Sequence, residues 1–147
     1  LEEYRGRWVT LFFWPLNFTF VCPTEIKAYD ALFDQFDRRG CAVVRASVDS
    51  VHSHRAWGQD GLGTVQFPMV GDVTRELTNG FGVLSNEGVA LRATFIINPQ
   101  LIIESASVNA LNVGRSAKET LRVLDALQAG GLTSCEWQPG EPLVAAA

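Results

Sequence analysis

The sequence has few cysteines, no long apolar run and no excess of positive charge. Three cysteines stand far apart among 147 residues, which is not the disulfide framework of a small secreted domain. No apolar run approaches the roughly 18 residues that a membrane-spanning helix needs. The formal net charge of -4 argues against basic surfaces that bind nucleic acid or anionic membranes. We therefore expect a cytoplasmic protein that binds neither.

Two familiar patterns of catalytic or metal-binding residues are also missing. No C-x-x-C pair occurs, and this weighs against a disulfide oxidoreductase of the thioredoxin type. His52 and His54 are two positions apart, so they do not share a helix face, and no cysteine or acid completes a zinc site. We interpret both histidines as surface or helix-capping residues and expect no metal and no cofactor.

The composition nonetheless fits one folded domain. Hydrophobic residues make up 47% of the chain and charged residues 19%, which allows a sizeable core and is too few charges for a disordered chain. The continuous apolar run at 8–13 predicts a buried central strand. An apolar stripe at helical spacing predicts a helix over 25–39, and its members are Ile26, Tyr29, Phe33 and Phe36.

The rest of the chain alternates between strand and helix patterns. The other predicted elements are a strand at 41–48, a helix from Asp49 or Ser50 to about 59, a short strand at 68–70, a short helix after Asp72, a hairpin of strands at 91–98 and 101–107, and a helix at 117–129 with an S-x-x-E capping box. This order predicts an α/β fold of thioredoxin-like type, a central mixed sheet flanked by helices. We expect residues 1–131 to form that domain and residues 132–147 to form a C-terminal tail.

Cys22 stands just before the predicted start of a helix. Unpaired backbone N–H groups and the positive end of the helix dipole favour a thiolate over a thiol at such a position. Pro23 is compatible with the first helical turn because its missing N–H costs nothing there. From local context alone, a buried inert cysteine is an equally good interpretation. For Cys41, inside an apolar strand pattern, a core cysteine is the better one.

Pro15, Thr19 and Cys22 together spell P-x-x-x-T-x-x-C. A hydroxyl three residues before the sulfur can lie on the same side and exchange hydrogen bonds with a small polar substrate. Pro15 is expected to shield the thiolate from water, and the aromatic residues Phe18 and Phe20 are expected to form a dry wall beside it. These residues favour a nucleophilic role for the thiol.

With this motif the chain resembles the peroxiredoxins. The resemblance is to the typical two-cysteine class and its alkyl hydroperoxide reductase C (AhpC/TSA) group, most of all to actinobacterial members, and it covers nearly the whole chain. The segments that carry it lie at 12–15, 18–26, 49, 56–57, 67–69, 93–96, 113–115 and 135–137.

The resemblance implies roles for five residues. Cys22 is the peroxidatic cysteine, and Cys135 is the resolving cysteine supplied by the partner subunit. Arg92 stabilises the thiolate and binds a peroxide oxygen, Arg115 supports it, and Glu25 orients the two arginines. Where the family usually has Val-Cys-Pro around the resolving cysteine, this chain has serine and glutamate on either side, a departure that concerns the docking of the tail.

The implied activity is a thiol-dependent peroxidase for hydrogen peroxide and organic hydroperoxides that defends the cell against oxidants. It works through a cysteine sulfenic acid and an intersubunit disulfide, which a thioredoxin-like, AhpD-like or AhpF-like dithiol protein reduces. A homodimer that assembles into a ring of dimers is implied as well. The family usually carries an N-terminal hairpin and a last helix that this sequence does not include. A non-enzymatic holdase or redox-signalling scaffold on the same fold is the alternative.

Overall fold

A five-stranded mixed sheet forms the centre of the protein. The computed structural model describes residues 1–145, and its strands are β1 (Trp8–Phe13), β2 (Cys41–Ser47), β3 (Met69–Gly71), β4 (Arg92–Ile97) and β5 (Ile103–Asn109). They lie in the order β3-β2-β1-β4-β5. β1, β2 and β3 run parallel, whereas β4 is antiparallel to both β1 and β5. The predicted central strand and the predicted hairpin are therefore confirmed.

Within residues 1–145, five α-helices cover the sheet: α1 (Cys22–Ala31), α2 (Phe33–Arg38), α3 (Val51–Trp57), α4 (Glu76–Gly80) and α5 (Ala117–Ala129). A 3-10 turn at Glu2–Tyr4 precedes β1, and an irregular turn at Gly58–Leu62, with non-helical backbone at Asp60 and Gly61, follows α3. One apolar cluster lies on the α1 and α5 side of the sheet, and a second lies on the opposite side. This layered arrangement confirms the prediction of an α/β, thioredoxin-like fold.

The helix predicted over 25–39 is two helices. α1 begins earlier, at Cys22, and the chain bends at Leu32, whose backbone leaves the helical region (φ -105°, ψ 4°). α2 then begins at Phe33. Tyr29 and Phe36 lie on either side of the break and are both fully buried, with their ring centroids 6.0 Å apart. A regular stripe in the sequence indicates the buried face and does not reveal such a break.

Two polar N-caps confirm the helix starts at α3 and α5. Ser50, rather than Asp49, accepts the backbone N–H of Ser53 at 3.1 Å, and Ser116 accepts that of Glu119 at 3.2 Å. Each bond satisfies an N–H group that the first turn leaves unpaired. α5 therefore starts at the capping box, as its sequence predicts.

The segment after α5 contains no helix or strand within residues 132–145. It packs on α5 through Trp137, which is 5% exposed and accepts a hydrogen bond from Arg122 Nη1 at 2.9 Å on its carbonyl. The proposed boundary between domain and tail stays a prediction, and residues 146–147 of that tail lie outside the described part. No helix in residues 1–145 is long and apolar enough to cross a membrane.

Arg45 is a charged side chain inside the apolar layer that covers β2. It is 3% exposed, and its guanidinium lies 5.0 Å from the Phe67 ring centroid and 5.9 Å from that of Trp14. Its Nε and Nη1 atoms have no hydrogen-bond partner among residues 1–145. Burial lowers the pKa of Arg45 to about 10, against a smaller opposing effect of the Asp30 charge. The charge is thus only weakly compensated.

Replacing Arg45 with methionine should stabilise the fold by about 1–3 kcal/mol, because a side chain of similar length removes a buried charge that is only weakly compensated. Urea unfolding of Arg45→Met against the original protein measures the difference. Arg55→Met, at an exposed position on α3, is the matched control and should change the unfolding free energy by less than about 0.5 kcal/mol. Destabilisation by Arg45→Met would show that the guanidinium contributes packing that methionine does not replace.

Candidate active site

The loop at 14–21 connects the end of β1 to the start of α1 and carries the predicted motif. Pro15 is buried two residues after the last residue of β1, and Cys22 is the first residue of α1. The backbone N–H groups of Thr24 and Glu25 both reach the carbonyl of Val21, at 3.0 and 3.3 Å. The first turn of α1 is therefore formed directly beneath the thiol.

The Cys22 thiol is fully buried and has two polar neighbours. Thr19 Oγ1 lies 2.9 Å from Cys22 Sγ, and Arg92 Nη1 lies 3.3 Å from the same sulfur. Thr19 Oγ1 also lies 3.0 Å from the carbonyl of Leu16, so its single proton can be donated to either acceptor. A cation and a hydroxyl donor on one sulfur can both stabilise negative charge at that point.

Arg92 is the first residue of β4 and is fixed by three different acceptors. Its Nε donates to the carbonyl of Leu111 at 2.6 Å, and its Nη1 donates to Glu25 Oε2 at 2.8 Å as well as to the Cys22 sulfur. The side chain is 5% exposed. Because the guanidinium is anchored away from the sulfur as well as to it, its position does not depend on a substrate.

Glu25 and Arg115 form a second buried ion pair behind Arg92. Arg115 donates to both carboxylate oxygens of Glu25, from Nε at 2.8 Å and Nη2 at 2.9 Å, and its backbone N–H adds a third bond at 2.8 Å. Arg115 Nη1 also donates to the carbonyls of Phe13 and Ala93, at the end of β1 and within β4. One carboxylate thus links both arginines to α1.

The Glu25 carboxylate stays charged in this setting. Burial raises the pKa of Glu25, but the hydrogen bonds and charge of Arg115, together with the charge of Arg92, more than offset it and hold the pKa below its ordinary value of 4.5. Each guanidinium therefore keeps a negative partner across the neutral pH range. This supports the predicted orienting position of Glu25.

The aromatic wall predicted beside Thr19 is wrong. Phe20 is 96% exposed and Phe18 is 57% exposed, so neither ring covers the thiol. Their positions lie on an irregular loop, where Phe18 has a positive φ of 55° and no strand or helix period dictates which side chains turn inward. Instead, Cys22 is buried in the apolar cluster that also contains Phe12 and Trp14.

The interpretation of His54 as a surface or capping residue is also wrong. His54 is 5% exposed, and its ring lies 5.4 Å from that of Trp14. It meets Asn17, a loop residue that the sequence does not mark as functional and that is only 6% exposed. A single polar residue between aromatic and apolar neighbours gives no periodic signal. His52, on the other side of α3, is exposed as expected.

The other two cysteines differ sharply from Cys22. Cys41 is buried at 1% exposure, and burial raises its pKa to about 11 despite a contact of 3.4 Å with Thr10 Oγ1. This confirms it as a core cysteine. Cys135 is an exposed free thiol in the segment after α5, and it lines a cleft of about 580 Å³ with Arg122. Among residues 1–145 no group of His, Cys, Asp and Glu is placed to hold a metal ion.

Chemically, this arrangement is a nucleophile with prepared electrostatic support. The sulfur lies at a helix start, a hydroxyl can donate to it or to an oxygen beside it, and a fixed guanidinium can stabilise negative charge at the same point. The structure brings Cys22, Thr19, Arg92, Glu25 and Arg115 into one connected network. Pro15 lies in the same loop, whereas Cys135 makes no bond to Cys22 within the chain.

Comparison with known proteins gives concordant matches. A model of the AhpC/TSA family matches residues 1–106. Alkyl hydroperoxide reductase C of Mycolicibacterium smegmatis is 48% identical over 145 residues, which cover 97% of this chain and 74% of that protein. A reduced 2-Cys peroxiredoxin of Plasmodium vivax has a TM-score of 0.94 at 36% identity, covering 97% of this chain and 79% of the other. AhpC of Mycobacterium tuberculosis has a TM-score of 0.86 at 45% identity, covering 93% and 78%.

Proposed function

This chain belongs to the AhpC/TSA family and is a thiol-dependent peroxidase, and we propose that Cys22 is the residue that attacks the peroxide. The observation that carries the proposal is the buried Cys22 sulfur within hydrogen-bonding distance of both Thr19 Oγ1 and Arg92 Nη1. Neither neighbour is needed to pack a core cysteine. Both are useful to a thiolate that must hold and polarise a peroxide.

In the first step the Cys22 thiolate attacks the terminal oxygen of the hydroperoxide. The S–O bond forms as the O–O bond breaks, the sulfur is oxidised to sulfenic acid, and the leaving oxygen takes a proton to become water or an alcohol. Thr19 donates to the peroxide and holds it in line, and Arg92 stabilises charge on the oxygens as they separate. Pro15 limits water at the thiolate, and Glu25 with Arg115 keeps Arg92 in place.

In the second step the thiolate of Cys135 of the partner subunit attacks the sulfenic sulfur, which expels hydroxide and forms a disulfide. This step requires a homodimer. β5 is an edge strand with an unpaired side, and its Ile103 and Val108 are about half exposed, as suits pairing with a second copy. The exposed rings of Phe18 and Phe20 offer a further apolar surface for a ring of dimers.

The disulfide is then reduced by exchange with a dithiol protein, which returns both thiols. We propose a thioredoxin-like, AhpD-like or AhpF-like reductant, hydrogen peroxide and small organic hydroperoxides as substrates, and the cytoplasm as the compartment, because each turnover needs a supply of reduced thiols. A holdase or signalling scaffold is not favoured, since neither role needs a guanidinium and a hydroxyl fixed on one buried sulfur.

Treatment with one equivalent of hydrogen peroxide should give a covalent dimer linked through Cys22 and Cys135, visible on a non-reducing gel and assigned by peptide mass spectrometry. Cys135→Ser should give no covalent dimer and should instead accumulate a Cys22 sulfenic acid that dimedone labels, because oxidation proceeds and resolution does not. Cys41→Ser is the control and should behave like the original protein. A covalent dimer that persists in Cys135→Ser, or its absence in the original protein, would contradict this scheme.

A further inference from the structure

Asn17 is a buried junction between the catalytic loop and α3. Its side chain accepts a hydrogen bond from Trp14 Nε1 at 3.1 Å and donates from Nδ2 to Ser53 Oγ and to His54 Nδ1, both at 2.9 Å. Its backbone N–H donates to Asp49 Oδ2 at 3.0 Å. Because Asn17 lies midway between Pro15 and Thr19, these four bonds fix the centre of the loop that presents both.

The donors and acceptors of this junction allow one arrangement. The indole N–H of Trp14 can only donate, so the Asn17 atom that faces it must be the oxygen, and the atom that faces His54 must be the amide nitrogen. His54 Nδ1 therefore accepts. Its proton lies on Nε2, which donates to the carbonyl of Val70 at 3.2 Å. His54 is a neutral imidazole of defined tautomer, held between the loop and β3.

A protonated His54 is incompatible with this junction. Imidazolium carries a proton on both ring nitrogens, so Nδ1–H would then point at the N–H groups of Asn17. Rotating the Asn17 amide by half a turn would present its oxygen to His54 but would place its nitrogen against the indole N–H of Trp14. Either orientation leaves two buried donors facing each other, which costs at least one hydrogen bond in a site with little access to water.

The charged groups around His54 do not compensate for this conflict. Asp49 lies on the β2–α3 connection and Arg45 lies on β2, and their opposite charges shift the pKa of His54 in opposite directions. From β3, only the Val70 carbonyl forms a hydrogen bond with the ring. Burial is the largest influence and lowers the pKa of His54 below its ordinary value of 6.5. The ring is therefore neutral at pH 7 and becomes protonated under more acidic conditions.

We propose that the hydrogen bond between Asn17 and His54 is an acid-sensitive joint that positions the peroxidase loop, so that protonation of His54 releases the loop and lowers the rate of peroxide attack. The inference rests on the proposed role of Cys22. His54 is a positioning residue here, since it acts through Asn17 on Pro15 and Thr19 and touches neither sulfur nor substrate. The contribution of the joint is complete at neutral pH and is lost as the pH falls through the folded-state pKa of His54.

The kinetic test compares the pH dependence of two variants. Asparagine in His54→Asn keeps an acceptor near Nδ1 and does not titrate, whereas His52→Asn removes an exposed histidine from the same helix. Stopped-flow measurement of hydrogen peroxide attack from pH 7.5 to 4.5 should show a steeper acid loss for the original protein and for His52→Asn than for His54→Asn. Below the pKa of His54 the difference should grow by at most about tenfold per pH unit and level off once the ring is fully protonated.

A structural measurement keeps this inference separate from the assignment of Cys22. In ¹H–¹⁵N spectra of the reduced protein, the Trp14 indole N–H and the Asn17 side-chain amide should shift together as the pH falls, with the titration of the His54 ring. In His54→Asn these shifts should vanish, and in His52→Asn they should remain. Identical acid profiles in the original protein and His54→Asn, or resonances of Trp14 and Asn17 that do not follow His54, would overturn the proposal even if Cys22 proves to be the peroxidatic residue.

Discussion

Replacing Cys22 with serine is expected to lower peroxidase turnover by at least about a thousandfold. A serine hydroxyl is not ionised at neutral pH, so neither the Arg92 guanidinium nor the Thr19 hydroxyl can make it a comparable nucleophile. The change from sulfur to oxygen is small, and the residue lies at the first position of α1, so the fold should remain intact. Consumption of hydrogen peroxide with a dithiol reductant in excess measures the loss.

The matched control is Cys41→Ser, since Cys41 is a second buried cysteine on the same side of the sheet. Its thiol lies beside Thr10, and burial raises its pKa to about 11 against smaller opposing effects of Thr10 and the Arg7 charge. Turnover should therefore be preserved in this variant. Undiminished turnover in Cys22→Ser would refute the assignment, and equal losses in both variants would show that a buried cysteine matters here for stability instead of chemistry.

Replacing Glu25 with alanine should destabilise the protein by about 3–5 kcal/mol, because it leaves two arginines buried without their counter-charge. The side chains of Arg92 and Arg115 are only 5% and 4% exposed, so water cannot take the place of the carboxylate. Peroxidase activity should fall as well in the fraction that remains folded, since Arg92 loses one of its anchors. Urea unfolding, followed by tryptophan fluorescence, measures the stability change.

Glu119 offers a control of the same chemistry at the surface. It also forms a two-bond ion pair with an arginine, Arg122, but its side chain is 56% exposed. Glu119→Ala should therefore cost less than about 1 kcal/mol. A similar cost for both variants would mean that burial of the Glu25 pair does not decide its contribution.

The same carboxylate predicts a sensitivity to acid. Its folded-state pKa is depressed, so its contribution to stability is present above the ordinary carboxyl pKa and is lost as the pH falls through the lowered folded value. Glu25→Gln cannot titrate and should lack this part of the acid dependence. The slope of unfolding free energy against pH below 4.5, compared between the two proteins, measures it.

The sequence predicted most of the fold because its strongest patterns report burial. The apolar runs at Trp8 and Cys41 mark strands that lie inside the sheet, and the capping serine at 116 marks the start of α5. The sequence did not predict where a helix breaks or which way loop side chains point. The break at Leu32 and the outward rings of Phe18 and Phe20 depend on packing with distant parts of the chain, which a local sequence pattern does not report.

The residues of the candidate site also differ in how far the sequence could predict them. Pro15, Thr19 and Cys22 are neighbours in sequence, so a short motif could point to them, and Arg92 could be added only through resemblance to a family. Asn17 and Arg45 carried no signal, since each is a single polar residue in an apolar context. Their importance comes from long-range neighbours that only the folded chain brings to them.

The residues that meet in the buried ion-pair network lie far apart in the sequence, so the ribosome makes them at different times. Arg92 lies 70 residues after Cys22 in the chain, and Arg115 lies 90 residues after Glu25. At a synthesis rate of about 5–20 residues per second, Cys22 is made roughly 4 to 14 seconds before Arg92 exists. Until then the growing chain holds Cys22 without the arginines of the folded site. Under the proposed role of Cys22, we expect an unfinished chain to react slowly with peroxide until β4 and Arg115 have been translated and folded.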